Sequence, residues 1–295
     1  MPLSADQYPV LVTGAAGLLG SDLGPLLLAG APDPSAVHLT DVADLDVTDA
    51  AAVEAAIGRI APKTVFHLAA WTNVDGAEDH PAEARRLNAD AAGIVAGAAA
   101  RAGAAVVHVS TDFVFGGGKA DPYVESDPIA PEGVYAQTKA EGESRVRDAA
   151  PHHHAIARTA WLYGASGRNF IDAVLARARD GKPLRVVTDQ VGCPTWSADL
   201  ARALVAIAAV GVRGTVHACG AGEASRWDLA VCALRAAGLE IEPERITTAD
   251  LPAGGAPRPS RAVLSCERLA QGAGFRFPPW QESVRRYVQG EPPAG

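Results

Sequence analysis

Tyr135 and Lys139 stand four residues apart in "VYAQTK", in a chain that has only four lysines and five tyrosines. On a helix, positions i and i+4 share one face, so this spacing sets an ammonium beside a phenol. A phenol with a pKa of about 10 exchanges protons poorly at neutral pH, and a nearby cation favours its ionised form. The pair therefore points to proton donation to a carbonyl oxygen, or removal of that proton in reverse. Thr111 in "HVSTDFVFGG" offers a hydroxyl that can bond the same oxygen. Alone, "STD" reads as a strand end satisfying its own loop; beside Tyr135 and Lys139 it reads as part of one site.

Such a site needs a scaffold that brings distant segments together. Short apolar runs alternate with longer amphipathic ones: "YPVLVT" before a helix over 17–29, "AVHLTD" before 49–60, "TVFHLAA" before 81–102 and "AAVVHVS" before 133–149. Strands apolar on both faces and separated by helices predict an α/β fold, a doubly wound parallel sheet of the Rossmann-like kind. Beyond "HAIARTAWLYG", Pro and Gly interrupt the rhythm, which predicts a smaller C-terminal substrate lobe over the carboxyl edge of the sheet. The helix from Ser197 to Val210 and the strand "GTVHACG" are expected to rejoin the sheet. The expected division is 1–162 with 197–218 for dinucleotide binding, and 163–196 with 219–295 for substrate. The last residues, "GEPPAG", are expected to fray.

"VLVTGAAGLLG" places Gly14, Gly17 and Gly20 where the first strand turns into a helix. Glycines there allow a tight turn and close approach of a pyrophosphate, and the free N–H groups at the helix start, with Leu18 and Leu19 beside them, face the anion. Asp41 ends the second strand about 20 residues further on, where an acid accepts hydrogen bonds from ribose hydroxyls. Capping its own loop is the bland alternative. No Lys or Arg occurs between Gly20 and Arg59, so NADH is favoured over NADPH. Asp46 and Val47 are candidate adenine neighbours, with N-capping as an equal alternative for the acid. Ala69 and Ala70, at the end of the third strand, are small enough for the dinucleotide to lie over them.

The net charge of −8 and the absence of a Lys/Arg cluster argue against a nucleic-acid polymer or a membrane surface as partner. No secretory leader pattern and no long apolar run is apparent, so a cytoplasmic location is expected. Cys193, Cys219, Cys232 and Cys266 lie far apart without CxxC spacing and read as buried, reduced thiols. "PHHH" (His152 to His154) reads as a solvated loop, and "FPPW" as a turn docking Trp280 on the small lobe.

At this point the chain resembles a family. The glycine pattern with Thr111, Tyr135 and Lys139 is similar to extended short-chain dehydrogenase/reductases. "AAWTNVDGAE", "LNADAAG", "HVSTDFVFGG", "PYVESD", "VYAQTKAEGE", "RTAWLYG", "NFIDAVL", "DQVGCPTWSADLA" and "PRP" resemble dTDP-4-dehydrorhamnose reductases and related nucleotide-sugar 4-ketoreductases, from about residue 9 to 265. The resemblance implies that Thr111, Tyr135 and Lys139 are catalytic and that Tyr135 and Lys139 also touch the cofactor. It further implies that Val74, Asp112, Phe113, Trp161, Asn169, Gln190, Pro194 and Arg258 meet the substrate, a dTDP-linked 4-keto sugar. Asn88 would brace the active-site helix, and Asp189, Gln190, Pro194 and Thr195 would shape the loop beneath the nucleotide.

The chain departs from the family pattern at Phe113, where Tyr is common, at Ala136, where Gly is usual, at Ala262, where Ser is typical, and in "FGGGKADPY", which lacks a common acid. Phe113 disfavours a dehydratase, which needs a proton-transferring pair beside the Thr. The implied reaction is NAD(P)H-dependent reduction of a C4 ketone. A noncatalytic dinucleotide-binding regulatory subunit and an epimerase are the alternatives. No metal site is expected, and a homodimer is possible.

Overall fold

In the computed structural model, residues 2–252 and 254–293 are described. The last two residues of the expected frayed tail, and the outermost limits of the expected division at residues 1 and 295, lie outside them. Five strands, β1 (Val10–Thr13), β2 (Val37–Thr40), β3 (Thr64–His67), β4 (Ala105–Thr111) and β5 (His154–Thr159), pair in parallel with the edge strand Gly214–His217. The spatial order is β2-β1-β3-β4-β5 followed by that edge strand. The order reverses beside β1, so a crevice opens at the carboxyl ends of β1 and β3.

Side-chain alternation explains why both faces are covered. Val10 and Val12 join Leu23, Leu27, Phe66, Leu204 and Val216 in a core on one face. Leu11 and Val65 point the other way, into Val53, Ile57 and Val95. The alanine-rich runs are close helix contacts: Ala91, Ala96 and Ala99 are fully buried, and a Cβ on Gly142 would run into the carbonyl of Asn88. Small side chains let the helix Ala91–Arg101 lie against the helix Gly133–Ala149.

Expected and observed helices agree closely at α1 (Gly20–Gly30), α2 (Ala50–Ile60) and Gly133–Ala149. The predicted helix over 81–102 departs from a uniform α-helix. Pro81–Arg85 and Ala91–Arg101 are α-helical, and Arg86–Asp90 between them is a π-helical insert. The wider turn brings Asn88 inward, a use to which π-bulges at functional sites are put.

The chain leaves the sheet after β5, and the helix Ser197–Val210 and the edge strand rejoin it. A second core of Ile171, Leu175, Leu229, Leu234 and Val284 includes Trp280, whose indole N–H donates to the Glu223 carbonyl at 3.0 Å. Two expectations need correcting. His154 is not in a solvated loop: it opens β5 and is buried, its Nδ1 2.7 Å from the Ala150 carbonyl, whereas His152 and His153 are exposed. The four cysteines are free thiols, but only Cys193 and Cys219 are buried, and Cys232 and Cys266 are part-exposed. Cys219 and Cys266 have their sulfurs 3.4 Å apart, and Cys193 packs in the same cluster.

Candidate active site

A crevice of about 980 Å³ runs along the carboxyl ends of the strands. At one end Gly14 has φ +73°, and a Cβ there would lie 2.7 Å from the Ala69 backbone nitrogen. A Cβ on Gly20 would lie 2.5 Å from the carbonyls of Gly14 and Ala15. Gly17, Leu18, Leu19 and Ala70 complete this wall. Only residues lacking a Cβ permit so tight a strand-to-helix turn, and the start of α1 opens into the crevice as an anion site. A dinucleotide fits here on that ground.

Asp41 clasps the turn: one carboxylate oxygen accepts from the Ala16 N–H at 2.9 Å and the other from the Val42 N–H. It therefore caps its loop while lining the crevice. Asp46 and Val47 also line that end. One Asp46 oxygen accepts from both the backbone N–H and the hydroxyl of Thr48, which holds its pKa below the ordinary carboxylate value. Arg86 contributes to the same depression, so a cation from the π-helical insert stands near this acid.

At the other end, β4 delivers Thr111 and the helix Gly133–Ala149 delivers Tyr135 and Lys139. The Thr111 hydroxyl contacts Asp112 Oδ1 at 3.1 Å and accepts from the Phe113 N–H at 3.2 Å. Phe113 stands edge-on to the Tyr135 ring with centroids 5.4 Å apart. Asn88 bonds both the Trp71 backbone and the Thr138 hydroxyl on the active-site helix, at 2.8 to 3.3 Å.

The electrostatics differ from expectation in one respect. Burial pushes the Tyr135 phenol up to about 12, partly offset by Thr111 and reinforced by the Asp112 charge. Lys139 is not among the groups that shift it; its ammonium donates to the Val109 carbonyl at 2.7 Å. Burial lowers Lys139 itself to about 8, against the pull of Glu143 one helical turn further on. Glu143 is fully buried, and Arg158 and Ser110 bind its oxygens at 2.7 to 2.8 Å. Burial raises Asp112 to about 7, with Thr111 and Arg226 opposing.

Trp161 follows β5 with φ +45°, an uncommon conformation for a bulky residue. Its indole enters the crevice and sits so close to Gly192 that a Cβ there would be 2.6 Å from Cε2. Val74, Asn169 and Arg258 line the same end. Asn169 caps the helix Phe170–Arg179 and donates to the Gly164 carbonyl at 2.9 Å. Arg258 pairs with Asp75 at 2.8 Å.

The structure does not place Gln190 and Pro194 on the crevice wall. Gln190 is buried and donates to Thr248, Asp189 binds the same threonine, and the Pro194 carbonyl packs against Gly220. The Thr195 hydroxyl accepts from the Gly220 N–H. "DQVGCPT" is thus a rigid joint, since its polar groups are used within the protein.

Arg226 was not read from the sequence and lines the crevice. It opens the helix Arg226–Ala236 behind a Ser225–Asp228 capping box, so "SRWD" was the available signal. Arg168 is a second such residue. Among the described residues no cluster of His, Cys, Asp or Glu could hold a metal, and no helix is long and apolar enough to cross a membrane.

A parallel sheet carrying a glycine turn and a Thr, Tyr and Lys in one crevice defines an extended short-chain dehydrogenase/reductase. The chain belongs to the family of the RmlD substrate binding domain, whose model matches residues 8–291. It is 40% identical over 280 residues to a probable dTDP-4,6-dihydroxy-2-methyloxan-3-one 4-ketoreductase of Streptomyces antibioticus, covering 93% of this chain and 92% of that protein. It is 39% identical over 256 residues to a dTDP-4-dehydrorhamnose reductase of Sinorhizobium fredii, covering 83% and 86%. The dTDP-4-dehydrorhamnose reductase of Bacillus anthracis, solved in complex with NADP, superimposes with a TM-score of 0.89 at 30% identity, over 95% of this chain and 98% of that one.

Proposed function

We propose that the protein reduces the C4 ketone of a dTDP-4-keto-6-deoxyhexose with a nicotinamide dinucleotide. The observation that carries this is the convergence of Thr111, Tyr135 and Lys139 on the crevice that the glycine turn opens. When bound, the dihydronicotinamide supplies the hydride that reduces the carbonyl carbon. Tyr135 gives its proton to the carbonyl oxygen as negative charge develops there. Its pKa of about 12 keeps the phenol protonated until negative charge develops on the substrate oxygen, which is what draws the proton across. Thr111 orders the phenol and donates to the same oxygen. Lys139, anchored to β4, keeps a positive charge beneath the site that offsets the negative charge developing on the carbonyl oxygen.

Of the two coenzymes we infer NADH, because the Asp41 carboxylate at the turn accepts ribose hydroxyls and repels a 2′-phosphate. Arg86 near Asp46 is the observation favouring NADPH. The ratio of kcat/KM for the two coenzymes decides between them. Oxidation of NADH or NADPH dependent on a dTDP-4-keto sugar tests the main reading. Binding of dinucleotide without turnover on any such sugar would support the noncatalytic alternative, and tight retention of dinucleotide through purification an epimerase.

A further inference from the structure

Arg226 is a guanidinium with its flat face covered and its edge free. It lies over the Trp161 ring at 3.6 Å from the centroid and over Phe170 at 5.2 Å. Among the described residues its side chain makes no hydrogen bond, in contrast to Arg258, which is tied to Asp75 and to the Ala256 carbonyl. Burial, with repulsion from Arg258 and against attraction from Asp112, brings its pKa down to about 10, so it remains charged at neutral pH.

Charge is divided along the crevice. Asp41 and Asp46 mark the glycine-turn end, whereas Lys139, Arg168, Arg226 and Arg258 surround the other, with Asp112 as the opposing carboxyl group. A guanidinium whose donors lack acceptors is matched best by a phosphate, which takes two parallel N–H bonds. The substrate read above carries one anionic group, its diphosphate.

We propose that Arg226, stacked on Trp161, donates from its free edge to the diphosphate of the sugar nucleotide and so determines this protein's affinity for it. The inference rests on the reading of the crevice as a nucleotide-sugar site. Stacking fixes the plane of the guanidinium before substrate arrives, which reduces the ordering needed on binding.

The test compares dTDP with thymidine by calorimetric titration of the NADH-loaded protein. In Arg226→Gln, dTDP affinity should fall about ten- to a hundredfold, as for loss of charged hydrogen bonds, while thymidine and NADH affinities hold. Arg226→Lys, which keeps the charge but not the fork, should fall between the two. Equal weakening of dTDP and thymidine would mean that Arg226 only props Trp161 and would overturn the assignment. So would unchanged dTDP affinity in a variant that still reduces a dTDP-4-keto sugar, and that result would leave the reductase reading standing. Wild-type protein that binds no dTDP and reduces no dTDP-4-keto sugar would overturn the reading and the assignment together.

Discussion

The Lys139 ammonium donates to the Val109 carbonyl at 2.7 Å, tying the active-site helix to the end of β4 two residues before Thr111. Helix and strand therefore hold Tyr135 and Thr111 in a fixed relation, and the phenol's proton affinity is set by burial more than by the cation.

Replacing Tyr135 with Phe removes the acid and leaves the ring. Turnover should fall at least about a thousandfold, within the range expected for general acid catalysis, while NADH affinity by fluorescence titration stays near wild type. Wild-type rates in this variant would remove Tyr135 from the chemistry.

Lys139 loses its charge as pH rises through about 8, whereas Tyr135 keeps its proton to about 12. The reduction rate should accordingly fall on the alkaline side with an apparent pKa near 8. Removing the Glu143 charge in Glu143→Gln withdraws a raising influence, so the limb should move to lower pH. A limb unmoved by that substitution would place the titrating group elsewhere.

Glu143 and Arg158 form a buried two-point ion pair at 2.7 and 2.8 Å. Losing Arg158 removes the buried partner and leaves Glu143 with Ser110 and the more exposed Arg147 at 3.2 Å, so the cost approaches that of a broken buried pair, about 3–5 kcal/mol. Urea unfolding of Arg158→Met should show a loss of that order, and Arg158→Met with Glu143→Gln should lose less than the sum of the two single variants.

Gly192→Ala puts a methyl group against the Trp161 indole. The ring must shift, so KM for the sugar nucleotide should rise severalfold with coenzyme affinity unchanged. An unchanged KM would show that the indole position is immaterial.

His67 and His217 are held to about 3 and about 4 by burial, assisted by nearby cations, so both stay neutral in the native state. The unfolded chain takes up protons below about pH 6.5, so stability falls as pH drops from there towards the native pKa values, by about 1.4 kcal/mol per pH unit per group. His217→Gln should reduce that acid loss, measured from urea midpoints between pH 7 and 5.

Much of this arrangement was legible because it is written in local pattern. Gly14, Gly17 and Gly20 announce the turn, and the 133–149 helix with its Tyr135–Lys139 face follows from i,i+4 spacing. What escaped depends on packing between remote segments. The approach of Cys219 to Cys266 and the stacking of Arg226 on Trp161 are set by tertiary folding, without a local signal. Gln190 and Pro194 were read as substrate neighbours by resemblance. Gln190 instead donates to Thr248 and Pro194 packs against Gly220, whose N–H bonds the Thr195 hydroxyl, which makes the segment a rigid turn. The π-helical insert Arg86–Asp90 was hidden because a single wider turn leaves no distinct spacing in the sequence.

The edge strand Gly214–His217 completes the sheet only after the chain has made an excursion through 163–196. A polypeptide stopped just past β5 would leave that strand's outer backbone groups bare, an invitation to sticky intermolecular pairing.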